Sequence, residues 1–331
     1  MMQINKVLVI GLGQLGLPVA KYVKDRGFDT YGYDTSLKAV EKAVNTVAIK
    51  KANNFSDFDV FILCVSTHKP DDMFSPQIDG LLSVVDKISK EATKAHTLVS
   101  IESTIPKGTS KKVFELLNHR FHVVHAPHRW YALEEKEHGV NQLRVIGGVR
   151  DCCLRAGMQF YTGNNSNSKN NDNSTVEEQH SSLLSSQSNL SKSLGISMHP
   201  VSNIYTVEVT KITENAHRYL QIAFAEDLYL YCQANNINFS ELRDALNTKW
   251  NVNILEPREG IGGHCLPKDT KMFLESSSNG RTSSKILTAA MEVDRDYREF
   301  RAKLDKEVCS SIIEDNDTSS ILKKAIEIKN G

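Results

Sequence analysis

The 331-residue sequence has no excess of charge, few cysteines and no long apolar run, and each absence removes a class of function. Forty basic residues cancel forty acidic ones, so there is no positive field of the kind that draws nucleic acid and no acidic tail. The six cysteines, Cys64, Cys152, Cys153, Cys232, Cys265 and Cys309, include no pair of CxxC motifs and no dense disulfide framework. They fit a reducing, cytoplasmic setting. The opening MMQINKVLVIGLG lacks the charged start and cleavage site of a signal peptide, and glycines cut its apolar run short of a membrane span. What is present is an ordinary apolar fraction of 40% in a chain long enough for two domains.

The stretch GIGGHCLPKD, from Gly260 to Asp269, sets one thiol among three glycines and just ahead of a proline. The glycines allow positive φ or close approach to a ligand, and Pro267 suits the first helical position, which puts Cys265 just outside a helix N-terminus. Backbone N–H groups there, with Lys268 nearby, favour a thiolate. The plainer alternative is a glycine-rich turn with a buried, inert cysteine.

Near the N-terminus, the apolar run Lys6 to Ile10 is followed by Gly11, Gly13 and Gly16 in the spacing GxGxxG. An amphipathic helix then ends near Gly27, and a strand from Thr30 to Tyr33 delivers Asp34. This is the dinucleotide-binding fingerprint in context: glycines for the turn and for close approach to pyrophosphate, a helix N-terminus for its charge, and an acid for the ribose hydroxyls. The loop Gly11, Gly13, Gln14, Leu15, Gly16 and the acid Asp34 are therefore expected to bind cofactor. Asp34 would repel a 2′-phosphate, so NAD is favoured over NADP. A tight strand-to-helix turn without ligand is the alternative.

Strands then alternate with helices: Asp59 to Val65, Gln77 to Ala95, Thr97 to Ile101, Thr109 to Asn118, Phe121 to Val124 and Leu143 to Ile146. That alternation predicts a Rossmann-like, doubly wound parallel sheet whose ligand lies beyond the carboxyl ends of the strands. The loops VSTHKP after Val65 and ESTIPKGT after Ile101 should line it, with Val65, Thr67 and Thr104 toward the cofactor unless they only close turns or cap helices. From 164 to 193 the chain is rich in Asn and Ser and reads as a flexible insertion, after which Ile196 to Met198 completes the sheet.

The longest helical pattern, Thr206 to Gln233, carries Val209, Ile212, Ala216, Leu220, Ala223 and Leu230 on one stripe. At 1.5 Å per residue it spans about 42 Å, enough to bridge domains or subunits, and a homodimer is expected on it. Lys211 and Asn215, spaced i, i+4, share a face; they face a cleft or simply solvent. Shorter helices follow at Ser240 to Leu246 and Lys285 to Lys306. The expected organisation is thus a nucleotide-binding domain over 1–205, an all-helical dimerisation domain with a long central helix over 206–308, and a tail at 309–331.

GLGQLGLPVA at 11–20, ESTIPKGT at 102–109, EVTKITENAHRYLQIAFAEDL at 208–228 and GIGGHCLPKD together resemble the UDP-glucose/GDP-mannose dehydrogenase family. The GGHC form is most similar to its UDP-N-acetylhexosamine branch. The resemblance implies an NAD-dependent enzyme that oxidises the C6 alcohol of a nucleotide sugar to the carboxylate in two hydride transfers. It implies Cys265 as nucleophile, Lys211 and Asn215 facing oxyanions, Asp269 assisting proton movement, Thr104 orienting water and cofactor, and Lys268 near the cofactor.

Two departures stand out. Where the family carries a glutamate after a proline, this chain reads HAPHRW with His128, which at an ordinary pKa near 6.5 could itself serve as base. The family's third, nucleotide-sugar-binding domain would follow the helix at 285–306, where only a short tail is seen. A weakened paralogue acting as an NAD-binding regulatory dimer, or a simple two-electron dehydrogenase of the β-hydroxyacid type, are the competing expectations. His119, His122, His125 and His128 recur every third residue, but on a strand that spacing alternates faces, and no metal is expected.

Overall fold

The computed structural model describes residues 3–130, 139–163, 192–277 and 284–314, with 277 and 307–314 as backbone alone. The Asn/Ser-rich insertion, apart from its last two residues, and the tail beyond 314 lie outside the described residues. No helix among the described residues is long and apolar enough to cross a membrane.

The first unit comprises residues 1–68 and 77–211. Its elements run β1 (Lys6–Ile10), α1 (Gly16–Asp25), β2 (Asp29–Tyr33), α2 (Leu37–Val47), β3 (Lys50–Lys51), β4 (Val60–Leu63), α3 (Asp79–Glu91), β5 (Leu98–Ile101), α4 (Thr109–Leu116), β6 (His122–His125), β7 (Arg144–Gly148), α5 (Asp151–Tyr161) and β8 (Met198–Pro200). The strands form one sheet in the order β3-β2-β1-β4-β5-β6-β7-β8. Strand order reverses beside β1, which opens a crevice outside the carboxyl ends of β1 and β4.

Alternation along each strand divides the core. Val7 and Val9 point to a layer with Val19, Val23, Val40, Ala43, Phe160 and Tyr161, so α1, α2 and α5 cover that face. Leu8 and Ile10 point to Phe61, Leu81, Val85, Ile88, Val113 and Phe114, so α3 and α4 cover the other. Both faces are buried, which is why these strands read as unbroken apolar runs. Each such side chain contributes about 1.5–3 kcal/mol.

The sheet differs from the expected one in three places. Helices α2 and α5 stand where no element was expected; Ser36 caps the first through the Ala39 N–H, and Ala48 ends it in the left-handed region. The two-residue β3 is too short to leave a pattern in the sequence. Most consequentially, β7 pairs antiparallel with β6, Val124 opposite Gly148, so the sheet is not wholly parallel. So short a run reads the same in either direction, and only the connection decides.

The second unit comprises 69–76 and 212–331. The long helix α6 (Ile204–Ala234) starts in the first unit and continues into the second, with the division between Lys211 and Ile212. It is followed by α7 (Phe239–Asn247), α8 (Cys265–Ser277) and α9 (Lys285–Glu314). Asn238 caps α7 through the Glu241 N–H. Tyr219, Ala223, Ile261 and Ala290 form one apolar cluster of this unit; Tyr229, Cys232, Phe239 and Tyr297 form another.

Candidate active site

In the first unit, the loop after β1 is built for close approach. Gly11 sits at φ +87°, and a Cβ there would come within 2.5 Å of the Cys64 carbonyl oxygen. A Cβ at Gly16 would lie 1.6 Å from the Gly11 carbonyl oxygen, so the turn closes only on glycine. At Gly13, by contrast, nothing lies within 4 Å of the missing side chain. This is the space a pyrophosphate would take, beside the N-terminus of α1, whose N-cap Leu15 offers no side-chain oxygen to its N–H groups. Asp34, at the carboxyl end of β2, accepts from the Leu12 N–H at 2.7 Å and the Ser36 N–H at 2.8 Å. It thereby fixes the loop and still has lone pairs for a ribose. The arrangement fits a dinucleotide.

The loops after β4 and β5 are tied together: the Ser103 hydroxyl donates to the Val65 carbonyl at 2.6 Å. Thr67 is buried, and its carbonyl accepts from the Gln77 N–H; Thr104 is half-buried. The Glu208 carboxylate, one turn before Lys211 on α6, accepts from the Gly108 N–H at 2.6 Å and the Ser110 N–H at 2.7 Å. It docks the start of α6 on the loop that carries Thr104, although burial pushes its carboxyl upward against those bonds. Nothing in the spacing of Glu208 marks that role.

His128 sits 6% exposed inside a polar cluster. Its Nε2 contacts Glu102, whose carboxylate also accepts from the Tyr161 hydroxyl and lies 3.1 Å from the Arg144 guanidinium. The Tyr161 hydroxyl is also 2.6 Å from that of Ser100. Burial alone would raise the Glu102 carboxyl, but Arg144, His128 and Tyr161 outweigh it and hold it at about 2. Burial pushes the His128 imidazole down to about 4, helped by Arg144 and Lys211 and opposed by Glu102. The ordinary pKa near 6.5 expected for His128 is therefore corrected: at neutral pH its ring is uncharged and weakly basic. Neighbouring His125, buried with Nδ1 3.0 Å from the Ile101 carbonyl, is likewise pushed down to about 3.

In the second unit, Gly260 sits at φ +90°, where a Cβ would press on the Arg298 side chain. Cys265 is exposed and is the first residue of α8, with its Sγ 3.6 Å from His264 Nε2. Here the structure corrects the expected boundary: the Lys268 N–H bonds the His264 carbonyl at 3.1 Å, so His264 is the cap and Pro267 the third helical residue. Pro267 is still tolerated, because no N–H in the first turn has an intrahelical acceptor. The thiol gains the positive end of the helix dipole directly.

Behind the thiol, Asp269 accepts from the Asn215 amide and pairs with the Lys268 ammonium at 2.7 Å, and both members of that pair are buried. The loop itself is pinned by Asp294, which accepts from the Ile261 N–H at 2.8 Å, from Arg298 Nε at 3.0 Å and from the Tyr219 hydroxyl at 3.2 Å. Arg298 returns a bond to the Ile261 carbonyl at 2.7 Å. Glu226, buried beside Asp294, has its carboxyl pushed up to about 8, by burial first and then by that neighbouring carboxylate. Asp294, Arg298, Glu226 and His264 all escape a reading by motif, because their partners lie on other elements or, for His264, because a single histidine carries no pattern.

The described set thus falls in two parts: Asp34, the glycine loop, Val65, Thr67, Thr104, His128 and Lys211 in one unit, Asn215, Cys265, Lys268 and Asp269 in the other. Residues 37–164 match the NAD-binding domain of the UDP-glucose/GDP-mannose dehydrogenase family, and residues 205–296 match its central domain. The chain is 28% identical to a UDP-N-acetyl-D-mannosamine dehydrogenase of Methanococcus maripaludis, over 98% of this chain and 71% of that one. It is 27% identical to another of that description from Campylobacter jejuni, over 91% and 74%. The solved UDP-D-ManNAc dehydrogenase of Pyrococcus horikoshii superposes with a TM-score of 0.72 over 98% of this chain and 81% of that one, at 24% identity, a likeness of fold. With both domains matched in order on a fold that builds the dinucleotide loop, the chain belongs to the UDP-glucose/GDP-mannose dehydrogenase family.

Proposed function

We propose that the protein is an NAD-dependent nucleotide-sugar 6-dehydrogenase that converts the C6 alcohol of a UDP-N-acetylhexosamine to the carboxylate through a cysteine-bound intermediate. The observation that carries this reading is the exposed Cys265, first residue of a helix, on a loop held by Asp294 and Arg298. Residues 1–205 serve as the nucleotide-binding domain and 206–308 as the helical domain. Gly11, Gly13, Gln14, Leu15 and Gly16 hold the pyrophosphate, Asp34 the ribose, and Val65, Thr67, Thr104 and Lys268 the remainder of the cofactor. When bound, NAD accepts a hydride at each of the two oxidations.

The chain's own residues do the rest. The Lys211 ammonium stabilises the C6 alkoxide as the hydroxyl proton leaves. The Cys265 thiolate then adds to the aldehyde carbon, forming a C–S bond, while the Asn215 amide and Lys211 face the oxyanion. The thiohemiacetal is oxidised to a thioester. Water oriented by Thr104 and Asp269 adds to it, the C–S bond breaks, and the carboxylate leaves with the thiolate restored. His128, too weak a base at about 4 to collect a proton at neutral pH, anchors the Glu102 cluster instead.

The same reading makes the chain a cytoplasmic homodimer through residues 206–233. Phe224 and Tyr231, seven residues apart on one face of α6, are 57% and 56% exposed, and none of the five described cysteines is in a disulfide. The test is to supply purified protein with NAD and a panel of UDP-sugars, with and without Cys265→Ser. Two NADH per sugar, lost in the serine variant, is expected. One NADH per sugar, insensitive to that change, would replace the reading with a simple two-electron dehydrogenase, and no NADH with any sugar would remove turnover altogether.

A further inference from the structure

Among the described residues, one set of side chains of metal-ligating type stands apart from the site above: His122, Cys152 and Cys153, whose ligating atoms all lie within 4.8 Å of one another. The reversed strand assembles it. Because β7 runs antiparallel to β6, its carboxyl end lies beside the amino end of β6, Gly148 opposite Val124. The chain turns there, the Val149 N–H bonding the Val123 carbonyl at 3.1 Å, and enters α5 with Cys152 and Cys153 as its second and third residues. His122 is the first residue of β6. A parallel β7 would have carried both thiols to the opposite edge of the sheet.

Burial holds the Cys153 thiol above its ordinary value against the backbone bonds from Val123 and Arg150, so a cation would have to displace its proton. Cys153 is 1% exposed, while His122 and Cys152 are half-buried and leave a route from solvent. A disulfide between the two neighbours is disfavoured, since Cα atoms about 3.8 Å apart fall short of the roughly 4.4–6.8 Å a disulfide spans, and α5 would have to unwind.

We propose that His122, Cys152 and Cys153 bind a zinc-class divalent cation at the amino edge of the sheet, with water in a fourth position. Zinc takes thiolate at about 2.3 Å and imidazole at about 2.0–2.1 Å, which in a tetrahedron puts the ligands about 3.5–3.8 Å apart. Side-chain rotation of about 1 Å closes the observed triangle. Thiolate with imidazole selects this cation class over calcium or magnesium, and the thiol protons pass to solvent as it binds.

The experiment uses the reduced full-length chain carrying Cys265→Ser, so that the exposed thiol contributes nothing. It is titrated with Cd²⁺ or Co²⁺ and followed by thiolate-to-metal charge-transfer absorbance, with Zn²⁺ as competitor. One cation per chain is expected, displaced by Zn²⁺, and Zn²⁺ should raise the melting temperature. Cys152→Ser and His122→Gln, at half-buried positions where the fold should hold, are each expected to weaken binding beyond the roughly 10–100-fold seen for losing an outer-shell partner. Melting curves without metal confirm that they remain folded. Unchanged affinity in Cys152→Ser, no charge-transfer band in the reduced parent, or a Cys152–Cys153 disulfide in protein isolated without reductant would each overturn the proposal.

Discussion

Two turns in this molecule share one register and put it to opposite uses. Gly11-Leu-Gly-Gln-Leu-Gly-Leu-Pro18 and Gly260-Ile-Gly-Gly-His-Cys-Leu-Pro267 align residue for residue. Each opens on a glycine at positive φ, +87° and +90°. Each buries the next residue, Leu12 or Ile261, while its N–H donates to a carboxylate, Asp34 or Asp294. Each enters a helix whose third residue is proline. They part at the first helical position: Gly16 is packed against the Gly11 carbonyl with no room for a Cβ, whereas Cys265 presents a thiol to solvent. One turn makes room by having no side chain, and the other holds out a side chain. The carboxylates differ in the same sense. Asp34 keeps acceptor capacity for a ligand, while Asp294 is saturated by Ile261, Arg298 and Tyr219 and serves as a fastening.

The most severe way to break this comparison is to make the second turn like the first. Cys265→Gly should leave melting temperature and NAD affinity near the parent's while acid formation falls by roughly 10³-fold or more, read as carboxylate released per UDP-sugar. Continued acid production would mean that the thiol is not what the second turn presents. The converse change, Gly16→Ala, forces a methyl into a carbonyl. With overpacking costs of about 1–3 kcal/mol, NAD affinity by calorimetry should fall roughly tenfold to 100-fold and the melting temperature should drop. An unchanged dissociation constant would show the loop to be looser than its geometry.

The fastening is sharpened by paired neutralisations. Asp294→Asn removes charge-assisted bonds at a buried carboxylate and should lower stability by about 2 kcal/mol in urea melts, whereas Asp34→Asn, at a half-buried carboxylate with two N–H donors, should cost less than that and weaken NAD. Equal effects on stability would erase the distinction.

The last comparison concerns Glu226 behind the second turn. Its folded carboxyl is pushed up to about 8 by burial and by Asp294, above the roughly 4.3 of an unfolded chain. The folded state therefore holds a proton that the unfolded chain gives up, and the stability this proton supplies is complete below about 4.3 and drains away as pH climbs through about 8. Glu226→Gln should flatten the decline in melting temperature between about pH 5 and 8. A decline as steep as the parent's would place its origin in other groups.

What the sequence discloses and what it withholds follow from the range of the interactions. Glycine spacing acts within one turn, so the loop at Gly11 to Gly16 and the strand delivering Asp34 are legible, as is the long stripe of α6. The direction of β7 is not, because a short run of strand residues carries no arrow. Nor is the setting of His128: its partner Glu102 is reached by Tyr161 across 59 residues, and only folding shows that burial moves the imidazole to about 4. Asp294 meets Ile261 across 33 residues for the same reason. The helix at Cys265 begins two residues before its proline because a proline is harmless anywhere in the first turn, a tolerance that leaves the sequence ambiguous.

One strand laid against its neighbour also gives the nucleotide-binding unit two separately addressable rims. The rim at Gly13 carries the glycine turn. The rim at His122 and Cys152 faces the other way, so a probe fixed there would report on the unit while leaving the dinucleotide end untouched.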